Sequence, residues 1–163
     1  MKQQLLYIAL CLSFICFGQE SAFDIMIHNT LQKTIPFISV DKLEKNYNNY
    51  TILDAREINE FQISHLKDAI HVGYNYFDSD TISKRISKNK SVVVYCSIGY
   101  RSEKIAEQLK LKGYTVYNLY GGIFQWKNKH NIVINTSNIE TNKVHCYNED
   151  WSKWLINGEK IYE

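Results

Sequence analysis

The chain has 163 residues, with 19 Lys plus Arg against 17 Asp plus Glu and a formal net charge of +2. A balance this even carries no basic stripe for nucleic acid, and 45% hydrophobic against 22% charged residues excludes a disordered chain. One Pro and seven Gly exclude collagen-like and low-complexity readings, leaving a single α/β-sized domain.

The first residues stand apart from that domain. Met1-Lys2-Gln3-Gln4 is short and positive, residues 5–17 are mostly apolar, and Gly18-Gln19-Glu20 follows. This is the layout of a secretory signal peptide over 1–18, too short for a membrane span of about 20 apolar residues. Leu10 and Ile15 precede Cys11 and Cys16 where a lipoprotein signal has a small residue, which disfavours lipidation. An uncleaved anchor or a buried N-terminal helix stays open. Cleavage implies an exported, periplasmic or secreted chain with no stable membrane association. It also leaves two cysteines, Cys96 and Cys146, for which an oxidising compartment makes a disulfide the default.

Residues 21–34 lack a clean period and read as an arm or short helix. Residues 35–38 form a strand, with Pro36 tolerated near its start, and Ser39 or Asp41 caps a helix carrying Val40, Leu43 and Tyr47. A strand over 50–53 ends at Asp54. Residues 57–66 read as a helix with Ile58, Phe61 and Leu66 inward, 69–72 as a strand, and 80–87 as a weak helix. The run 91–95 is apolar and β-branched without alternation, as in a strand covered on both faces. Ser102, Ile105, Ala106 and Leu109 then give one helical face, closed by Gly113. A strand over 114–119, a Gly121-Gly122 turn and a helix over 123–129 follow. This alternation predicts a mostly parallel sheet with helices on both faces.

Chemistry is expected where the best strand meets the best helix. Cys96-Ser97-Ile98-Gly99-Tyr100-Arg101 lies at a strand's carboxyl end and a helix N-terminus, the usual ligand position of open α/β sheets. The helix dipole and unpaired N–H groups favour the thiolate, Gly99 lets the loop curl into an anion nest, and Arg101 adds a positive charge that can bind an anionic substrate group. The competing reading is a buried strand-end cysteine acting as a small hydrophobe.

The segment Tyr95–Ser102 with Gly113-Tyr114 and Asn118-Leu119-Tyr120-Gly121-Gly122-Ile123-Phe124-Gln125-Trp126 resembles the single-domain rhodanese family, sulfurtransferases that carry a persulfide on their cysteine. Leu53-Asp54-Ala55-Arg56-Glu57, Glu60-Phe61 and His65-Leu66-Lys67-Asp68-Ala69-Ile70-His71-Val72 are similar to its other signatures. Ser64 and Asp68 depart from it where many members carry Gly. The resemblance implies a rhodanese-like three-layer domain over 40–130, followed by a C-terminal extension over 131–163. It also implies Cys96 as the persulfide carrier, with Ser97, Ile98, Gly99, Tyr100 and Arg101 binding substrate and Asp54 and Arg56 as a supporting pair.

Four residues separate Cys96 from Arg101, where cysteine phosphatases typically place five, and the smaller ring suits a terminal sulfur better than a phosphate. The expected reaction is a double displacement from a small donor such as thiosulfate to a thiol or cyanide acceptor, with no cofactor. No metal is expected either, since His65 and His71 lack ligand spacing. A catalytically silent rhodanese-like module that binds a partner or carries sulfur is the alternative. In the tail, Asn148 is expected to cap a docked helix with Trp151, Trp154 and Leu155 on one face. Cys146 is either inert or able to resolve a Cys96 persulfide as a disulfide.

Overall fold

The computed structural model describes residues 21–162, so the expected signal segment, with Cys11 and Cys16, lies outside the described residues. Five strands make a wholly parallel sheet in the order β1-β5-β4-β2-β3. They are β1 (Phe37–Ile38), β2 (Tyr50–Asp54), β3 (Ile70–His71), β4 (Ser91–Tyr95) and β5 (Val116–Leu119). Between them run α2 (Val40–Lys45), α3 (Ile58–Ile63), α4 (Ser79–Ser83) and α5 (Tyr100–Leu111), with α6 (Gly122–Asn128) after β5.

β4 is central and apolar because both its faces are covered. Val93 and Tyr95 enter one core with Val40, Leu43, Ile123 and Phe124. Val92, Val94 and Cys96 enter the other with Ile82, Ile105 and Leu109. That is the period-2 alternation of a strand between two helical layers. The β2–β4 register sets Asp54 beside Tyr95, so both strands end level and Cys96 emerges at the carboxyl edge.

Two segments outside the expected 40–130 domain join it. The arm is a nine-residue helix, α1 (Ala22–Thr30), capped by Ser21 and Asp24 in a reciprocal box. It buries Ile27 in the core. Just after it, the N–H groups of Gln32 and Thr34 donate to the Glu103 carboxylate, each at 2.9 Å. β1 also precedes residue 40, so the sheet's edge strand lies outside that boundary.

The C-terminal extension holds more than the expected helix. It holds β6 (Val133–Ile134) paired with β7 (Glu140–Thr141), then β8 (Lys143–His145) parallel to β9 (Glu159–Ile161). Asn148 does cap a helix, accepting from Trp151 N–H at 3.1 Å, but α7 spans only Glu149–Ser152. Trp154 and Leu155 lie beyond it, where Leu155 enters the core and Trp154 meets Phe23 of α1 edge-on at 5.8 Å. Cys96 and Cys146 are both free and buried, so no disulfide joins them.

The helix expected over 57–66 is shorter, and its inward face differs. Ile58 is 51% exposed, whereas Glu60 is 2% exposed. Leu66 is buried but follows the helix. An ion pair, rather than an apolar stripe, turns α3 inward.

Candidate active site

The loop after β4 is shaped from behind by α6. Ile123 N–H donates to the Cys96 carbonyl at 2.9 Å and Phe124 N–H to the Ser97 carbonyl at 3.2 Å. Across a trans peptide the C=O and the next N–H point in opposite directions, so the amides of Ser97 and Ile98 point away from α6. Gly122 makes this approach possible. At φ +55°, a Cβ there would lie 2.2 Å from the Cys96 oxygen and 2.6 Å from the Ser97 oxygen.

The loop then curls at Gly99, φ +121°, and α5 begins at Tyr100. Gly99 N–H donates to Cys96 Sγ at 3.2 Å, and Ser102 Oγ lies 3.5 Å from the same sulfur. Asn118, fully buried on β5, fixes both groups. Its Nδ2 donates to the Gly99 carbonyl at 2.9 Å, and its Oδ1 accepts from Ser102 Oγ at 2.8 Å. The single Ser102 hydroxyl proton can serve Asn118 or an anionic sulfur. Cys96 is 2% exposed at the base of a cleft of about 390 Å3.

Arg101 lines that cleft, but its charge is matched. Nη1 and Nη2 donate to the two Glu60 oxygens at 2.6 and 2.8 Å, and Nη2 also reaches Ser97 Oγ at 3.1 Å. The isolated positive charge expected beside the sulfur is therefore half of a bidentate pair. Burial would raise the Glu60 carboxyl, yet Arg101's hydrogen bonds and charge, with Arg56 behind them, hold it below the usual carboxylate range. Burial likewise pulls Arg101 down, and the Glu60 bonds with the charges of Cys96 and Glu60 hold it above its ordinary value.

Asp54 and Arg56 sit beneath the site, both fully buried, and neither lines the cleft. Arg56 Nε and Nη2 donate to Asp54 Oδ1 and Oδ2 at 3.0 and 2.7 Å, and Nη2 also holds the Ser64 carbonyl at 2.6 Å. Burial would lower the guanidinium, but the Asp54 charge keeps it raised. The pair ties the end of β2 to the chain that follows α3.

Of the residues expected from sequence, Cys96, Ser97, Ile98, Tyr100 and Arg101 line the cleft, and Gly99 supplies the amide bonded to the sulfur. Sequence reasoning missed the roles of Glu60, Asn118, Tyr147 and Trp151. Glu60 entered the sequence reading only as part of the family-like Glu60-Phe61 signature, with no role of its own. Tyr147 and Trp151, from the extension, wall the cleft, and the Tyr147 ring lies 5.2 Å from the Arg101 guanidinium carbon.

Residues 39–129 match the family model for the rhodanese-like domain. The chain is 32% identical over 80 residues to thiosulfate sulfurtransferase GlpE of Coxiella burnetii, covering 48% of this chain and 73% of that protein. It is 38% identical over 80 residues to the tRNA uridine(34) hydroxylase of Aster yellows witches'-broom phytoplasma, covering 46% of this chain but only 26% of that relative. Among solved structures, a rhodanese-related protein of Thermoplasma volcanium aligns at TM-score 0.56 and 26% identity, over 61% of this chain and 97% of that one. The BH2092 protein of Bacillus halodurans aligns at TM-score 0.57 and 25% identity, over 69% and 86% of the two chains. With more than half of its length matched and the same parallel sheet beneath its cysteine loop, the chain belongs to the rhodanese-like domain family.

Proposed function

We propose that this protein is an exported sulfurtransferase that moves sulfane sulfur through a persulfide on Cys96. The observation that carries the reading is the Gly99 N–H aimed at Cys96 Sγ, in a loop whose carbonyls are drawn away by α6. Amides so placed are preorganised hydrogen-bond donors for negative charge on sulfur. The similarity to thiosulfate sulfurtransferase GlpE supports the same chemistry. Export rests on the signal-like pattern of residues 1–18.

The reaction runs in two displacements. Cys96 thiolate attacks the outer sulfur of a donor such as thiosulfate. A new S–S bond forms, the donor's S–S bond breaks, and sulfite leaves with the electron pair. Ser97, Ile98 and Gly99 supply amides around the terminal persulfide sulfur, while Tyr100 and Arg101 border the approach. An acceptor, cyanide or a thiolate, then attacks the terminal sulfur and regenerates the Cys96 thiolate. No electron acceptor is consumed.

Thiosulfate:cyanide turnover by residues 19–163, with Cys96→Ser as control, tests this. The expected result is thiocyanate formation with the parent protein and none with Cys96→Ser. Intact mass after thiosulfate treatment should show one added sulfur that cyanide removes. Thiocyanate formation surviving Cys96→Ser, or no sulfur gained from any donor, defeats the proposal. The latter result favours the silent binding module.

A further inference from the structure

The cleft over Cys96 is larger and more apolar than an inorganic donor requires. Its roughly 390 Å3 falls within the span of pockets that enclose drug-sized ligands, about 300–1,000 Å3, and thiosulfate would leave most of it empty. Its exposed lining is mainly apolar, with Tyr74, Tyr100, Tyr147 and Trp151 contributing aromatic surface. Arg101 is the one cation among the lining residues, and Glu60 matches its charge. Glu57 adds a carboxylate to the rim. A dianion therefore meets no net positive charge here, whereas an apolar body meets a wall that suits it.

Two of those four aromatic residues come from outside the family match. Tyr147 and Trp151 follow β8, beyond residue 129. Tyr147 adopts φ +67°, a left-handed conformation uncommon for an aromatic residue. The chain around it enforces this. Cys146 N–H donates to the Ile161 carbonyl at 3.0 Å, Asn148 N–H to the Cys146 carbonyl at 2.8 Å, and Tyr147 N–H to His145 Nδ1 at 3.1 Å. Val144 and Cys146, both fully buried, anchor the chain just before it. Backbone strain of this kind persists only where its surroundings over-determine it, and it gathers at functional positions. Here it sets the Tyr147 ring over Arg101, facing the cleft.

We propose that the C-terminal extension makes this cleft selective for monoanionic organic sulfane-sulfur donors with an apolar, aromatic body, over inorganic thiosulfate. The proposal rests on the Cys96 persulfide reading above. For a donor R–SO2–S⁻, Cys96 thiolate attacks the sulfane sulfur, an S–S bond forms to Cys96, and the bond to the sulfonyl sulfur breaks. Its electron pair leaves with the sulfinate R–SO2⁻, and no redox partner is needed. The R group lies against Tyr147 and Trp151.

Three donors separate charge from body: thiosulfate, methanethiosulfonate and benzenethiosulfonate, each with cyanide as acceptor and kcat/KM as readout. Benzenethiosulfonate should exceed both thiosulfate and methanethiosulfonate at least tenfold, mostly through KM, and a preference for thiosulfate overturns the selectivity. The ratio between the two thiosulfonates should fall at least fivefold in Tyr147→Ala and in Trp151→Ala and be kept in Tyr147→Phe. As a reading independent of turnover, benzenesulfinate should quench tryptophan fluorescence of Cys96→Ser, and Trp151→Phe should reduce that quench. Equal use of the two thiosulfonates, or a ratio indifferent to both alanine variants, overturns the selectivity and leaves sulfur transfer standing. If none of the three donors adds a sulfur to Cys96, both the selectivity and the sulfurtransferase reading fall.

Discussion

Gly122→Ala probes the device that shapes the cysteine loop. A methyl group at this position would sit 2.2 Å from the Cys96 oxygen and 2.6 Å from the Ser97 oxygen, both backbone atoms with little freedom to yield. Relief requires α6 to withdraw, which breaks the bonds from Ile123 and Phe124 N–H, worth about 1 kcal/mol each. Holding a non-glycine residue at φ +55° adds about 1–2 kcal/mol. Together these cost about 3–4 kcal/mol, or a Tm lower by roughly 10 °C for a chain of this size. Turnover should suffer more than stability, because a reacting atom misplaced by about 1 Å can cost on the order of 100-fold. Gly113→Ala is the control. It also has positive φ, +83°, but its nearest neighbour is the flexible Lys88 Nζ at 3.5 Å. It should lose only the backbone cost of about 1–2 kcal/mol and keep its turnover. Calorimetry and thiosulfate:cyanide assays on both variants decide the matter. If Gly122→Ala matches Gly113→Ala in Tm and turnover, α6 does not hold the loop.

The polar groups around the site make separate predictions. Asp54→Asn or Arg56→Met alone leaves a buried charge without its partner and should cost about 3–5 kcal/mol in urea unfolding. The double substitution should cost clearly less than the two singles combined, whereas simple additivity would mean the pair is not coupled. Because Glu60 is held below its ordinary value near 4.5, its contribution to stability is present above that pH and fades as pH falls through the lower folded value. Glu60→Gln should lower stability at pH 7 by about 1.5–3 kcal/mol and flatten this acid dependence; an unchanged acid profile counts against the pairing. Asn118→Leu strands the Gly99 carbonyl and should cost about 1–3 kcal/mol. It should also slow Cys96 persulfide formation at least tenfold, read by quenched-flow mass analysis.

What the sequence made legible were the features set by neighbours in the chain. The β-branched run of β4 and the 3.6-residue period of α5 come from side chains a few positions apart, so strand, loop and helix fall where expected. Asp54 and Arg56 are two residues apart, yet their support role came only as what the family resemblance implies. Glu60 was not legible, because its partner Arg101 lies 41 positions away and an isolated glutamate on a short helix reads as solvent-facing. Asn118 was hidden likewise, a polar residue in a strand whose partners, Gly99 and Ser102, belong to another element. In the extension, the i, i+3, i+4 spacing of Trp151, Trp154 and Leu155 mimics a helical face. Yet α7 stops at Ser152, and the three side chains are placed by contacts with α1, the cleft and the core. Strands of two or three residues, such as β6 to β9, show no period at all.

The site separates two ways of stabilising an anionic sulfur. One is a net charge, which Arg101 alone would supply, and which would attract any small anion. The other is an array of amide dipoles fixed before the reaction begins. By pairing Arg101 with Glu60, the fold matches the charge and leaves its rigid planar fork to orient Ser97. By tying the Cys96 and Ser97 carbonyls to α6, it leaves the dipoles aimed away from that helix. On the proposed function, a cleft arranged in this way would recognise where negative charge sits on a donor, at its terminal sulfur, more than how much of it there is. Recognition of whatever is attached to that sulfur would then fall to the walls, and two of those, Tyr147 and Trp151, lie beyond the residues that match the family.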